Sequence, residues 1–145
     1  MTNMILLVED SEDDVFLFER AMMKARVSLP VYHARDGQEA LDYLQAGGKF
    51  VDRKAFPLPS LIFLDLKIPL VHGFEVLRWV RSQPSFNHTP VVMLTASLED
   101  KDRGRALQMG ADEYLIKPPT QESLSRVFEN GSVKIFPRQK GNALI

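Results

Sequence analysis

A chain of 145 residues, 45% hydrophobic and 26% charged, has the size and balance of one globular domain with its own core and no room for a second. A net charge of -1, with Lys and Arg interspersed among Asp and Glu, excludes the broad basic surface on which nucleic-acid binding rests. The absence of cysteine excludes disulfides, thiolate nucleophiles and Cys-based zinc sites, and points to a reducing compartment, the cytoplasm.

The first apolar run, Met4 to Val8, has strand length and is followed at once by Glu9 and Asp10, so neither a signal peptide nor a membrane span is expected there. Ser11 is a suitable N-cap for a first helix whose apolar face is Val15, Phe18, Met22 and Ala25. Val31 to Ala34, between Pro30 and the Asp36-Gly37 turn signal, reads as a second strand. The next helix opens with Asp36 and Glu39, spaced so that cap and third-position acid satisfy each other's backbone donors. It turns Ala40, Leu41 and Leu44 inward and is stopped by Gly47 and Gly48.

The connection from Gly48 to Ser60 is longer than usual and holds Phe50, Phe56, Pro57 and Pro59, as expected of a packed surface loop and a candidate partner site. Strand-length runs follow at Leu61 to Leu64, Val91 to Leu94 and Tyr114 to Ile116. A third helix carries Val76, Leu77 and Val80 and ends before Pro84, with Trp79 at the margin of its apolar arc. The fourth runs from about Glu99 to Met109, is closed by Gly110 and is weakened by Gly104. The fifth starts at Thr120, after Pro118 and Pro119, buries Leu124, Val127 and Phe128, and is stopped by Asn130-Gly131. Five alternations of strand and helix imply an α/β fold: a doubly wound, five-stranded parallel sheet with helices on both faces, because parallel neighbours need crossovers.

In open α/β sheets ligands sit beyond the carboxyl ends of the strands, and here those ends are polar: Glu9-Asp10, Asp65, Thr95 and Lys117. If Asp10 and Asp65 lie on neighbouring strands, two carboxylates about 4 Å apart repel by about 4 kcal/mol at an effective dielectric near 20, equivalent to about 3 pKa units. Such a cluster must bind a cation or hold a proton, and an all-oxygen acidic site suits Mg²⁺ or Mn²⁺. Asp65 is then a natural phosphoryl acceptor, with the Lys117 ammonium and the Thr95 hydroxyl placed to contact phosphoryl oxygens. Taken singly, Asp10 reads equally well as a helix cap, Thr95 as a β-branched strand residue and Lys117 as a solvated lysine. Their joint placement carries the functional reading. His33, His72 and His88 show no ligand spacing and read as surface or packing residues.

The stretches Ile5-Leu6-Leu7-Val8-Glu9-Asp10, Leu64-Asp65-Leu66-Lys67-Ile68-Pro69 with Gly73, Val92-Met93-Leu94-Thr95-Ala96, and Gly110-Ala111-Asp112-Glu113-Tyr114-Leu115-Ile116-Lys117-Pro118 occur in that order. Together they resemble the CheY-like receiver domain of two-component response regulators, from about Met4 to Phe128. The 48–60 loop is similar to that of small receivers that serve bacterial phytochrome-type histidine kinases. The resemblance implies a flavodoxin-like strand order of 2-1-3-4-5 and Mg²⁺-dependent phosphorylation of Asp65 by a phosphohistidine donor, a sensor histidine kinase or histidine phosphotransfer protein. It implies metal ligation by Glu9, Asp10, Asp65 and the backbone carbonyl of Lys67. Thr95 becomes the switch hydroxyl, Tyr114 the switch aromatic, and the Lys117-Pro118 peptide is implied to be cis.

A receiver of this kind, spanning 1–131 and acting alone, signals by docking a downstream protein or a second copy through the face of the fourth helix, fifth strand and fifth helix, without nucleic acid or membrane. Residues 132–145 read as a C-terminal tail, in which Val133, Ile135 and Phe136 offer packing or pairing contacts. An aspartyl-phosphate hydrolase of the haloacid dehalogenase type is a second reading, although Lys67 stands where that family's second Asp belongs. A receiver-like module that docks without phosphorylation is a third.

Overall fold

The computed structural model describes residues 3–129. The strands are β1 (Ile5–Val8), β2 (Val31–Ala34), β3 (Leu61–Leu64), β4 (Val91–Thr95) and β5 (Glu113–Ile116). They alternate with α1 (Glu12–Lys24), α2 (Gly37–Gln45), α3 (Gly73–Ser82), α4 (Asp100–Gln108) and α5 (Gln121–Glu129), and a 3-10 turn at Gly48–Phe50 follows α2. All strand pairs are parallel, in the order β2-β1-β3-β4-β5. The expected end of α5 at Asn130-Gly131, the domain boundary at 131 and the 132–145 tail lie outside the described residues.

The central strands β1, β3 and β4 read as apolar runs because both sheet faces are covered there. Leu6, Val8, Ile62, Leu64, Val91 and Met93 face a core built with α2, α3 and Ala106 of α4. The alternating set, Ile5, Leu7, Leu61, Phe63, Val92 and Leu94, faces α1 and α5. Ser11 caps α1, its Oγ accepting from Asp14 N–H at 3.2 Å. Thr120 and Ser123 cap α5 reciprocally, each backbone N–H donating to the other's hydroxyl at 2.9 Å.

At α2 one local expectation is corrected, while the helix ends just before Gly47 and Gly48 as expected. Asp36 Oδ1 accepts from Glu39 N–H at 2.7 Å, but Glu39 does not return to the Asp36 N–H. Its Oε1 accepts from Arg35 N–H at 3.0 Å and its Oε2 from the Tyr32 hydroxyl at 2.7 Å, because β2 brings that phenol within reach. At the other end Ala46, not a glycine, takes the left-handed position at φ 58°. The exposed carbonyls there are met by Arg53, whose guanidinium donates to Tyr43 O, Leu44 O and Phe56 O. The 48–60 connection is packed as expected, with Phe50 and Phe56 joining Tyr32 and Tyr43 at ring separations of 5.0 to 6.0 Å.

At the amino-terminal edge of the sheet Arg81 ties three segments together. It donates to Gly110 O, Phe86 O, Thr89 O and the Asp112 carboxylate, which also accepts from Val91 N–H at 2.9 Å. Trp79 packs at the core margin, 5.9 Å from the Phe86 ring.

The fourth helix is the least anchored. Of its residues only Ala106 is buried, and its N-cap residue Glu99 makes no side-chain cap bond. A Cβ built on Gly104 meets nothing within 4 Å. Gly104→Ala is therefore expected to raise stability by about 0.5–1 kcal/mol in urea unfolding, through helix propensity alone; a neutral or destabilising result contradicts this account of α4.

Candidate functional site

The parallel register sets four strand ends side by side. Val8 is level with Leu64, Leu64 with Met93, and Thr95 with Ile116. Each ladder continues one residue further: Asp65 N–H donates to Val8 O at 3.2 Å, Glu9 N–H to Ala34 O at 2.9 Å and Lys117 N–H to Thr95 O at 2.9 Å. Backbone bonds therefore fix the origins of Glu9, Asp65, Thr95 and Lys117 before any side chain is placed.

Glu9, Asp10 and Asp65 each offer a carboxylate oxygen within 4.8 Å of the others. Glu9 and Asp65 are buried, whereas Asp10 is exposed. Lys117 Nζ lies 2.6 Å from Glu9 Oε1, 2.6 Å from Asp65 Oδ2 and 2.9 Å from Asp14 Oδ2. Burial pushes the Glu9 carboxyl above its ordinary value, although Lys117 and the Ser11 N–H, 3.0 Å from Oε2, pull the other way. Burial alone would lower the Lys117 ammonium, but its bonds to Asp65, Glu9 and Asp14 hold it above its ordinary value.

Three carboxylates on one ammonium, with Asp10 beside two of them, leave the site with surplus negative charge. Oxygen donors alone, two of them buried and one reached by solvent, fit a hard divalent ion that keeps part of its water. Among the described residues no histidine joins this cluster.

Thr95 is buried, and its Oγ1 accepts from Ser97 N–H at 3.3 Å. Tyr114 is buried too, and its hydroxyl donates to Ser97 O at 3.2 Å while the Arg103 guanidinium lies 5.7 Å from its ring centre. Both residues expected to switch are thus tied to Ser97, whose own hydroxyl donates to Asp102 at 2.6 Å. Lys67 is exposed beside the site, its backbone N–H 3.4 Å from Asp65 Oδ1. The Lys117-Pro118 peptide is cis.

Two glycines let the loop after Asp65 fold back. A Cβ on Gly73 would collide with Asp65 O, and one on Gly37 with Val71 O. Between them Leu70 adopts φ 70° as Val71 N–H donates to Pro69 O at 2.8 Å, a three-residue turn that L-residues adopt at a cost. His72 caps α3 through Nδ1, which accepts from Phe74 N–H at 3.1 Å, while Glu75 Oε1 accepts from His72 N–H at 3.3 Å.

Sequence reasoning missed three neighbours of the site. Asp14 is one helical turn past Asp10, so the Ser11 cap could have pointed to it. Ser97 stands two residues beyond Thr95. His33 has an edge-strand position that gave no hint of its Nε2–H, which donates to Glu9 O at 2.6 Å.

Comparison with known proteins agrees with this geometry. The response regulator receiver domain profile matches residues 5–129. The chain belongs to that family. It is 38% identical over 128 residues to the probable methanogenesis regulatory protein FilR2 of Methanothrix harundinacea, covering 86% of this chain and 78% of that one. It is 32% identical over 125 residues to response regulator Rcp1 of Synechocystis, covering 86% and 83%. Among solved structures it is similar to the bacteriophytochrome response regulator RtBRR, with a TM-score of 0.82, 38% identity, and coverage of 100% of this chain and 82% of that one. Similarity to the Mn(2+)-bound form of Rcp1 has a TM-score of 0.77 at 29% identity, covering 94% and 98%. The narrower likeness to phytochrome-associated receivers is borne out by these relatives.

In this receiver the Lys117 ammonium contributes stability that is intact below its ordinary value of 10.5 and is lost only as pH climbs through the higher folded value. Lys117→Met leaves Glu9 and Asp65 buried without that cation. At neutral pH and without divalent ions, the variant is expected to lose about 3 kcal/mol in urea unfolding. Because burial raises Glu9, the deficit should shrink as pH falls and the folded Glu9 carboxylate takes up its proton. A deficit that stays constant from neutral pH into the carboxylate range would refute this electrostatic origin.

Proposed function

We propose that this receiver accepts a phosphoryl group on Asp65 from the phosphohistidine of a sensor histidine kinase or histidine phosphotransfer protein, in a Mg²⁺-dependent reaction. The observation that carries the reading is the buried Asp65 carboxylate held 2.6 Å from Lys117 Nζ inside the Glu9-Asp10-Asp65 cluster. An Asp65 oxygen attacks phosphorus, the nitrogen-phosphorus bond breaks, and the imidazole leaves with the bonding electron pair. A divalent ion held by Glu9, Asp10, Asp65 and the Lys67 carbonyl, Mg²⁺ or Mn²⁺, would neutralise charge on the transferring oxygens.

The protein's own groups orient and then read the phosphoryl group. Lys117 pairs with one oxygen as a point charge, and the Thr95 hydroxyl donates to another. Recruiting Thr95 pulls on the loop through Ser97, to which the Tyr114 hydroxyl is also bonded. Shifting a two-state equilibrium from 1:99 to 99:1 takes about 5.5 kcal/mol, within reach of several charge-assisted hydrogen bonds. Tyr114 then carries the change outward through the lightly anchored α4. The output is docking of a downstream protein or a second copy on the α4-β5-α5 face, where Leu107 and Ile116 are exposed. No nucleic-acid or membrane contact enters this reading. Among the described residues no helix is long and apolar enough to cross a membrane, and the proposed setting is the cytoplasm. The proposed receiver spans 1–131, with 132–145 as a tail.

Incubation with acetyl phosphate and Mg²⁺, followed by intact mass and peptide mapping, is expected to give slow stoichiometric labelling at Asp65 and none in Asp65→Asn. Rapid turnover would favour the hydrolase reading, and absence of label a passive docking module.

Self-catalysed dephosphorylation adds water to the same phosphorus, and the long cationic side chain of the exposed Lys67, two residues along, is proposed to obstruct or orient that water. Lys67→Ala is expected to change the phosphate lifetime by about threefold or more, followed as loss of the labelled mass; equal lifetimes would remove Lys67 from the reaction.

A further inference from the structure

An ammonium has three N–H donors, and those of Lys117 meet three different carboxylates. Two of the three, Glu9 and Asp65, belong to the cluster that fits a divalent ion; Asp14 does not. Glu9 Oε2 accepts from Ser11 N–H and Oε1 pairs with Lys117, so a cation drawn to Oε1 competes with the ammonium for it. Two cations cannot hold one buried oxygen at close range without mutual repulsion.

We propose that Asp14 is a positioning residue for Lys117, retaining the ammonium beside Asp65 when Glu9 turns its oxygens to a divalent ion. The inference rests on the functional reading above and deepens it. Asp14 is suited to the task by its place in the fold. It sits in the first turn of α1, where its backbone N–H is fixed by the Ser11 cap, and its side chain is one-third exposed. The carboxylate therefore stays charged at modest desolvation cost while Glu9 and Asp65 bear the burial. With Asp14 in place, an ammonium displaced from Glu9 moves to a partner it already touches. Without it, Lys117 presses on Glu9 and Asp65 alone and opposes the incoming ion more strongly.

Calorimetric titration with MgCl₂ alone tests this in four proteins: the unmodified chain, Asp14→Asn, Lys117→Met and the double variant. The cap survives in Asp14→Asn because it uses the backbone N–H. Asp14→Asn is expected to weaken Mg²⁺ binding by about threefold or more when Lys117 is present. In the Lys117→Met background, where Asp14 acts only as a nearby, partly exposed charge and no longer through the ammonium, the same change should weaken binding to a smaller extent. Asp14→Glu should bind Mg²⁺ within about twofold of the unmodified chain, since an acceptor for the ammonium is retained. Equal weakening in both backgrounds, or no weakening in either, overturns the role assigned to Asp14. Acetyl phosphate labelling of the unmodified chain keeps the two claims apart. Label at Asp65 with uncoupled titrations removes only the role of Asp14, whereas absence of label removes the functional reading whatever the titrations show.

Discussion

Sharing of one ammonium among three carboxylates is the interaction on which the rest of the site depends. Glu9 and Asp65 are buried near one another and near Asp10, an arrangement that repulsion would open if the charge were not met. Lys117 meets part of it at 2.6 Å on each side. The lysine does not fix the geometry, because the backbone bonds that extend the ladders past β1, β3 and β5 have already done so. Its part is to make a level set of strand ends tolerable in the absence of a second cation, while leaving enough negative charge for that cation to enter.

Most of the fold was legible because burial on both faces writes the central strands β1, β3 and β4 as apolar runs, and Ser11, Thr120 and Gly110 mark helix ends by well-understood local chemistry. Where reading failed, a tertiary contact had outbid a local rule. Glu39 has the spacing of a reciprocal cap, but the Tyr32 phenol and the Arg35 N–H claim its oxygens. The same helix does stop at Gly47 and Gly48 as expected, with Ala46 in the left-handed position and Arg53 satisfying the carbonyls of that turn. Tyr43 was not among the residues expected inside, yet it is buried, with its hydroxyl donating to Pro57 O at 2.7 Å.

The acidic cluster was legible for a different reason. In a parallel sheet the residue that ends a strand is placed by the strand, so Glu9, Asp10, Asp65, Thr95 and Lys117 could be gathered from separate motifs without side-chain detail. Asp14, Ser97 and His33 could not. Asp14 reaches the site through a helix orientation, Ser97 through the path of a loop, and His33 through pairing of an edge strand with β1. None of these is written in local spacing.

The clamp around Arg81 gives the molecule two poles of different character. At the amino-terminal edge of the sheet one guanidinium fork serves three carbonyls and a carboxylate, most of them neutral acceptors at fixed geometry. At the opposite edge cohesion comes from buried opposite charges, whose balance a divalent ion bound among them would alter. A divalent ion that enters the acidic cluster therefore acts on one end of the sheet, while the other, held by one fork on neighbouring backbone carbonyls, takes no part in that exchange.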